Sequence, residues 1–484
     1  MASVKRNYLY NLISQMLTLL LPIVTTPYVT RVLGNENLGI FSYVQSIVNY
    51  FILFGCIGLN DYSQREIAAF QGDRHRQSVV FFEVLLLRVV TVSISAGIYW
   101  GSIVRWADYP IYYALFGLEL LAALVDVSWF LQGRENFRSQ TVRTIATRLL
   151  GLCAIFLFVR KQEDLYLYIL CCSGAILVGN LSLIPFLKKS LDRVSLRELR
   201  PWKHLTGALG MFLPQVAINV YTQLDKTMLG LLTGHDYDQV GFYSQAEKIV
   251  KMAMTVVTSM GSIMLSRMTI ALNSGRADQA KEYVVKSMRF VCLLAWPMTV
   301  GLAVIAEDMV PWFFGPGYDA VVPCMVALSP LVLIIGTGCV FGRHYMLPAR
   351  KMKEFTATVM LGMVVNVSFN ALLIPKFGAM GAVAATLLAE CGVSVSQYLL
   401  CRRLFSPKIF LVGTKNMVAA LIMGLAVKAL GAYLPPVIWA TAAEVLAGVA
   451  VYFGLLALMK DRFFLDNLKL RLGRRTGGNT HETL

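Results

Sequence analysis

The stretch GIFSYVQSIV at residues 39–48 returns as GFYSQAEKIV at residues 241–250. At an offset of 202 residues the two stretches share four identities, which are Gly39/Gly241, Ser42/Ser244, Ile47/Ile249 and Val48/Val250. Weak self-similarity at such a long spacing is typical of transporters built from two related sets of membrane helices. The repeat therefore predicts two halves of equal size, joined at the basic loop of residues 188–204.

The composition indicates that these halves lie in a membrane. Of the 484 residues, 57% are hydrophobic and only 15% are charged, against about 25% charged in a soluble domain. Apolar runs of about 20 residues recur along the chain, and each is long enough to cross roughly 30 Å of hydrocarbon as a helix. The first run, Leu9–Tyr28, exceeds the apolar core of a signal peptide and no small-residue cleavage site follows it, so it is predicted to be retained.

We predict an all-α polytopic membrane protein with about fourteen transmembrane helices. Six in each half make a parallel repeat, and two extra helices follow at the C-terminus. The predicted domains are residues 1–200 and 201–405 for the two six-helix lobes, 406–460 for the extra pair and 461–484 for a basic cytoplasmic tail. The predicted spans are 9–30, 40–60, 79–103, 111–131, 143–159, 165–187, 205–232, 241–265, 290–306, 321–342, 356–375, 380–402, 411–431 and 436–459.

The basic residues behind the net charge of +16 are concentrated in the loops between these spans. With the N-terminus inside, 33 of the 44 Lys and Arg residues fall on the inner side, five on the outer side and six within spans. Such asymmetry over short loops sets orientation, so both termini are predicted to be cytoplasmic. The same pattern explains the basic charge without nucleic acid as a partner.

Two spans carry polar residues at helical spacing. Span seven has Gln215, Asn219, Thr222 and Lys226 on one face, and span eight has Ser244, Lys248, Lys251, Thr255 and Thr258. Span one repeats the pattern without charge, through Asn7, Asn11, Ser14 and Thr18. A lysine facing lipid costs about 2.5–3.5 kcal/mol, so the alternatives are contact between helices, snorkelling to the membrane surface, or a water-filled cavity. We predict a cationic cavity between the lobes, lined by Asn219, Lys226, Lys248 and Lys251 and joined by Arg31 and Arg88.

Intramembrane acids have two interpretations, charge pairing and ion coupling. Glu119 and Asp126 are seven residues apart, which predicts one helix face, and Arg88 or Arg148 could pair with them. Asp225 lies about 100° from Lys226 around its helix. It is therefore predicted either to pair with a neighbouring helix or to carry a proton. Arg31 follows Pro27 and is predicted to close the outer mouth of the cavity or to sit at the membrane surface.

Sequence signatures of catalysis are missing. The sequence has no G-x-x-x-x-G-K-[ST] and no H-E-x-x-H, and its five His are scattered. Its nine Cys form no C-x-x-C. We therefore predict no catalytic residues, no metal site and no cofactor. A transporter is favoured over an enzyme.

Several segments resemble a known family. LPIVTTPYVTRVLGNENLGIFSYVQSI (21–47) resembles the start of the polysaccharide or O-antigen flippases of the multidrug/oligosaccharidyl-lipid/polysaccharide exporter superfamily, and LDKTMLGLLTGHDYDQVGFYSQAEKI (224–249) resembles the start of their second lobe. FLQGREN (130–136), YMLPARKMKEF (345–355) and ALLIPKFGAMGAVAATLLAE (371–390) are also similar. The resemblance covers essentially the whole chain. It places Arg31, Asp225 and Lys226 in recurring segments, whereas Lys248 and Lys251 rest on helical spacing alone.

The resemblance implies a function. Such proteins flip undecaprenyl-diphosphate-linked oligosaccharides across the bacterial cytoplasmic membrane, to build O-antigen, capsule, exopolysaccharide or teichoic acid. The implied partners are this lipid-linked glycan, the bilayer, protons or other ions, and the polysaccharide polymerase machinery. Three alternatives stay open, namely a lipid II flippase, a cation-coupled multidrug exporter and a membrane-embedded sugar polymerase or ligase. The cationic spans disfavour the second, and the short loops disfavour the third.

Overall fold

The computed structural model describes residues 2–70, 72–106, 108–134, 137–188, 190–259, 261–461 and 463–465, and within them it contains helices and no strand. The first α-helices are α1 (Ala2–Cys56), α2 (Leu59–Ala69), α3 (Arg74–Ile98), α4 (Val104–Trp106), α5 (Pro110–Leu124), α6 (Ser128–Gly133), α7 (Phe137–Phe158), α8 (Leu165–Leu181), α9 (Ile184–Lys188) and α10 (Leu205–Leu232). The others are α11 (Tyr237–Thr258), α12 (Gly261–Asn273), α13 (Ala277–Phe314), α14 (Val321–Leu328), α15 (Leu331–Phe341), α16 (Met352–Phe377), α17 (Ala379–Cys401), α18 (Thr414–Gly431) and α19 (Ile438–Leu458). The all-α prediction is confirmed.

Helix α1 consists of two arms that meet at Gly34. Its 55 residues would extend roughly 80 Å as one helix, far more than a bilayer requires. Gly34 has φ 79° and ψ 171°, a conformation that L-residues with a side chain rarely adopt. The break lies between predicted spans one and two. The structure describes the backbone of residues 2–20 but not their side chains, so the polar face predicted for span one, at Asn7, Asn11, Ser14 and Thr18, lies outside what is described.

Eleven helical segments within the described residues are long and apolar enough to cross a membrane. One of them, Leu21–Ala69, contains the break at Gly34. Helices α10 and α11, with 28 and 22 residues, are not among the eleven. The multi-span architecture is thus confirmed, while the number fourteen and the internal repeat stay predictions.

The ninth predicted span is longer than its apolar core. We predicted residues 290–306, whereas α13 continues through Pro297 and Pro311 to Phe314. The turn expected after it is present, because Gly315 and Gly317 have φ values of 95° and 84°. Hydropathy alone misses such helix ends, since the polar turns outside the apolar core keep their backbone hydrogen bonds.

The helices divide into two compact units. The first comprises residues 1–244, 314–317 and 366–382, and the second comprises 245–313, 318–365 and 383–484. Some of these limits fall inside helices, for example between residues 244 and 245 in α11 and between 365 and 366 in α16. The predicted lobe boundaries at residues 200 and 405 remain predictions, and residues 466–484 of the predicted tail lie outside the described residues.

In the first unit the loop before α10 is held by a buried carboxylate, which we call the Glu83 anchor. Glu83 is fully buried on α3 and contacts Lys203 Nζ at 2.7 Å and His204 Nε2 at 2.9 Å. The backbone N–H of Arg200 donates to it at 2.7 Å. On its other side the His204 ring meets the Tyr62 hydroxyl at 2.8 Å. The anchor therefore fixes where α10 begins.

In the second unit α18 and α19 pack on α13. Their shared apolar cluster includes Met423, Val427 and Leu456. The Tyr452 hydroxyl donates to the Leu293 carbonyl of α13 at 2.9 Å and accepts from Asn416 of α18 at 3.0 Å. One phenol thus joins three helices near the beginning of α18.

Candidate functional site

Asp225 is the centre of a buried polar cluster in the first unit. On α10 its side chain is only 2% exposed. Tyr243 of α11 donates its hydroxyl to Oδ2 at 2.7 Å. Asn366 and Asn370 of α16 donate their amides to Oδ1 at 2.8 and 2.7 Å. We call these four residues the Asp225 cluster.

The asparagines of this cluster are themselves buried, at 0% exposure each. They lie four residues apart, one above the other on the same face of α16. Asn370 also donates to Asn366 Oδ1 at 3.1 Å, and its own Oδ1 has no hydrogen-bond partner among the described residues. A buried amide oxygen without a hydrogen-bond donor costs free energy. The Asn370 oxygen is therefore an acceptor beside the Asp225 carboxylate that could take a further hydrogen bond.

Asp225 and Lys226 have different surroundings, as their 100° separation predicts. Asp225 points to Tyr243 and α16, whereas Lys226 is half-buried. Asn219, on the same predicted face as Lys226, is exposed and donates to the Gln215 carbonyl one turn earlier at 2.9 Å. The polar face of α10 and its buried acid are thus separate features.

The lysines of α11 are partly accessible. Lys248 and Lys251 are both half-buried. Lys251 Nζ lies 2.6 Å from the carboxylate of Glu247, one turn earlier and itself buried. All three residues belong to the second unit. The helix therefore presents two cations and one buried acid on neighbouring positions.

Arg88 is enclosed by protein. The side chain is 1% exposed, and its Nε donates to the Ala123 carbonyl at 2.7 Å. Nη1 donates to Asn60 Oδ1 at 2.9 Å, and Nη2 lies 3.6 Å from Asp126 Oδ2. These contacts hold together α2, α3 and the end of α5, so the guanidinium acts within the core of the unit instead of facing a ligand.

The expectation that Glu119 and Asp126 share a helix face is wrong, because α5 ends at Leu124. Asp126 lies in the following turn, where its Oδ1 accepts from the backbone N–H of Ser128 at 2.9 Å. Glu119 remains on α5, only 6% exposed, and accepts from the Ser173 hydroxyl of α8 at 3.1 Å. The two acids therefore have separate environments.

Arg31 lies near the end of the first arm of α1 and is exposed. Its Nη1 donates to the Pro27 carbonyl at 2.9 Å. Its Cγ would lie 3.0 Å from a Cβ placed on Gly315, so it also contacts the turn after α13. Both residues are in the first unit.

Sequence reasoning missed Tyr243, Asn366 and Asn370. The only signal for the asparagines was their spacing of four in the apolar segment VVNVSFNALLI (364–374). Within the described residues there is no group of three or more His, Cys, Asp or Glu that could hold a metal ion. The candidate functional groups are therefore the Asp225 cluster and the lysines of α10 and α11.

Comparison with known proteins identifies the family. A family model described as "Polysaccharide biosynthesis protein" matches residues 4–269. A "Putative O-antigen transporter" of Escherichia coli (strain K12) is 25% identical over 397 residues, covering 81% of this chain and 95% of that protein. A "Probable low-salt glycan biosynthesis flippase Agl15" of Haloferax volcanii is 19% identical over 75% of this chain and 76% of its own length.

Solved structures share the fold. The lipid II flippase MurJ in an inward closed conformation superposes with a TM-score of 0.71 at 13% identity, covering 95% of this chain and all of that one. A multidrug resistance MATE family transporter in an inward-facing conformation gives a TM-score of 0.58 at 11% identity, over 81% and 98% of the two chains. At these identities the likeness concerns architecture alone.

Proposed function

Because the chain belongs to the family of polysaccharide biosynthesis proteins, we propose that it flips undecaprenyl-diphosphate-linked oligosaccharide units from the inner to the outer leaflet of the bacterial cytoplasmic membrane. The observation that carries the proposal is the match to the Escherichia coli O-antigen transporter, which extends over most of both chains. A local motif would not require a shared function, whereas this similarity extends over 81% of the chain and 95% of the relative.

The charge of α10 and α11 agrees with such a cargo. A diphosphate is an anion, and lysine ammonium groups bind phosphate oxygens as point charges. Lys226, Lys248 and Lys251 supply three such charges at positions that are not fully buried. Exposed amides such as Asn219 suit sugar hydroxyls. We propose that these four residues line a cationic cavity, with Arg31 near its outer end and Arg88 as a structural support.

The Asp225 cluster is proposed as the ion-responsive part of the transporter. Its carboxylate is buried in the protein and accepts hydrogen bonds from a phenol and two amides. Because an asparagine amide can present either nitrogen or oxygen, rotating Asn366 and Asn370 would replace donors by oxygen ligands around the carboxylate. The cluster can thereby exchange hydrogen bonds for a proton or a small cation.

The proposal includes an orientation of the chain in the membrane. The proposed orientation, with both termini in the cytoplasm, is supported by the Lys and Arg asymmetry of the loops. Reporter fusions test it, since alkaline phosphatase is active only outside the cytoplasm and a fluorescent protein folds well inside. We expect fluorescence and no phosphatase activity from fusions at residue 465, and the reverse from fusions after residue 434 in the loop before α19.

A second candidate, transport of lipid II, is favoured by the 24% identity with the lipid II flippase MurJ of Bacillus subtilis over 38% of this chain. The two candidates differ in the glycan that accumulates when transport stops. Deletion of the gene is expected to remove one surface polysaccharide and to enlarge the pool of its lipid-linked precursor in the inner leaflet. Loss of viability with accumulation of lipid II would favour the second candidate, and unchanged surface polymers and precursor pools would refute both.

A further inference from the structure

Glu444 is a buried acid that the proposed function does not use. It lies in the second turn of α19, only 1% exposed. Neither of its carboxyl oxygens has a hydrogen-bond partner among the described residues. An ionised carboxylate in an apolar interior costs far more free energy than a neutral carboxylic acid. Glu444 therefore needs a positive charge or a proton in order to stay where it is.

A second carboxylate, that of Asp308, lies beside the same glycine as Glu444. A Cβ placed on Gly431, the last residue of α18, would lie 2.9 Å from Glu444 Oε1 and 2.9 Å from Asp308 Oδ2 of α13. The two oxygens are thus separated by no more than twice that distance. Only a residue without a side chain leaves room for both carboxyl groups, so three helices converge on one acidic pair.

An exposed lysine near this pair acts on Asp308 and is shared with a third carboxylate. Lys428, one turn before Gly431, lies 2.5 Å from Glu307, and both side chains are more than half exposed. The charged groups near the pair are therefore Glu307 on α13 and Lys428 on α18, and Lys428 attracts both Glu307 and Asp308. The other polar contact nearby is neutral, since Trp312 donates to the Thr441 hydroxyl at 2.8 Å.

We propose that Glu444 and Asp308 form a proton-binding pair in which the two carboxyl groups share one proton. Neighbouring carboxyl groups bind a proton jointly because two like charges at close range repel each other. A metal ion is disfavoured, because the described residues contain no group of three potential ligands. The proton comes from water and returns to water, so no other reactant is needed.

The pair is also placed to change helix contacts. Asp308 is one turn before Trp312 on α13, and Glu444 is three residues after Thr441 on α19. Loss of the proton leaves two carboxylates facing each other beside Gly431, and their repulsion pushes α19 away from α13 at the point where Trp312 holds Thr441. This inference does not depend on which glycan is carried or on whether the chain transports one.

The test uses the full chain in lipid nanodiscs and two signals, the infrared band of a buried carboxylic acid and the fluorescence of Trp312. We expect a carboxylic-acid band that disappears as the pH is raised and a parallel change in fluorescence. Glu444→Gln should remove both, and Trp312→Phe should remove only the fluorescence change. A wild-type protein without the band, or a band unchanged in Glu444→Gln, would overturn the proposal.

Two further variants keep the test decisive if Glu444→Gln does not fold. Asp308→Asn removes the neighbouring charge from a partly exposed position and should move the midpoint of the band to lower pH. Gly431→Ala should separate the carboxyls and shift the midpoint, whereas Gly454→Ala on α19, where a Cβ meets nothing within 4 Å, should not. Fluorescence that responds to Na⁺, K⁺ or Mg²⁺ at constant pH, but not to pH, would show a metal site and refute the proton.

Discussion

Gly39 and Gly241 lie against each other where α1 crosses α11. A Cβ on Gly39 would lie 1.8 Å from the Tyr237 carbonyl oxygen, and a Cβ on Gly241 would lie 2.6 Å from the Asn35 carbonyl oxygen. Each carbonyl belongs to the residue four positions before the opposite glycine, so the two contacts are reciprocal. The two glycines are also the first residues of the stretches GIFSYVQSIV and GFYSQAEKIV, on which the predicted repeat rests.

Substitution of either glycine tests this crossing. Gly39→Ala and Gly241→Ala should each reduce the free energy of unfolding by about 1–3 kcal/mol, because a methyl group would collide with the backbone of the opposite helix. Thermal unfolding in detergent measures the change. Gly97→Ala on α3, where a Cβ would meet nothing within 4 Å, is the matched control. Equal melting temperatures for all three variants would contradict the packing.

The Glu83 anchor predicts a difference between two histidines. His204 is buried between Glu83 and Tyr62, so His204→Ala should destabilise the protein by about 1–3 kcal/mol, since the buried carboxylate and the half-buried hydroxyl each lose a hydrogen-bond partner. His75 contacts Glu198 at 3.3 Å with both side chains about half exposed, and His75→Ala should change stability by less than about 0.5 kcal/mol. Similar unfolding midpoints for the two variants would argue against the anchor.

Removal of the α11 lysines should stop glycan export. Lys248→Ala combined with Lys251→Ala deletes two cations, and each lost charge-assisted contact to phosphate is worth about 1.5–3 kcal/mol, or tenfold or more in binding. Surface glycan in a deletion strain is the measurement, with expression checked on a blot. Lys286→Ala, which removes an exposed lysine paired with Glu282, should complement fully. Complementation by the double variant would refute the cationic cavity.

Asp225→Asn should separate ion response from folding. The amide has the same shape but no charge, and one of the two acceptor oxygens becomes an NH2 donor. The coupling chemistry is therefore lost, at a cost of about 1–3 kcal/mol in stability. We expect export to fall by tenfold or more and the residual activity to lose its dependence on the ion gradient. Asp278→Asn, at a side chain that is 98% exposed, should behave as wild type. Retained gradient dependence in Asp225→Asn would exclude the cluster as the coupling site.

The membrane location of the chain and the faces of its helices could be predicted from the local sequence. Hydropathy is a property of each segment, and a backbone in lipid has to satisfy its own hydrogen bonds, so apolar runs predict helices with little help from their neighbours. The 100° step between residues likewise separated Asp225 from the polar face that contains Lys226. Helix ends were less predictable, and the end of α5 at Leu124 is why Glu119 and Asp126 do not share a face.

The sequence by itself determined the kind of protein, the family it resembles and the positions of its unusual charges. Only the tertiary structure decided the partners of those charges. Asn366 and Asn370 are 141 and 145 residues from Asp225 in the sequence. Asp308 and Glu444 lie on two different helices, beside a glycine of a third helix. Contacts of that separation depend on which helix faces pack together, and that choice follows from the shapes of many side chains at once.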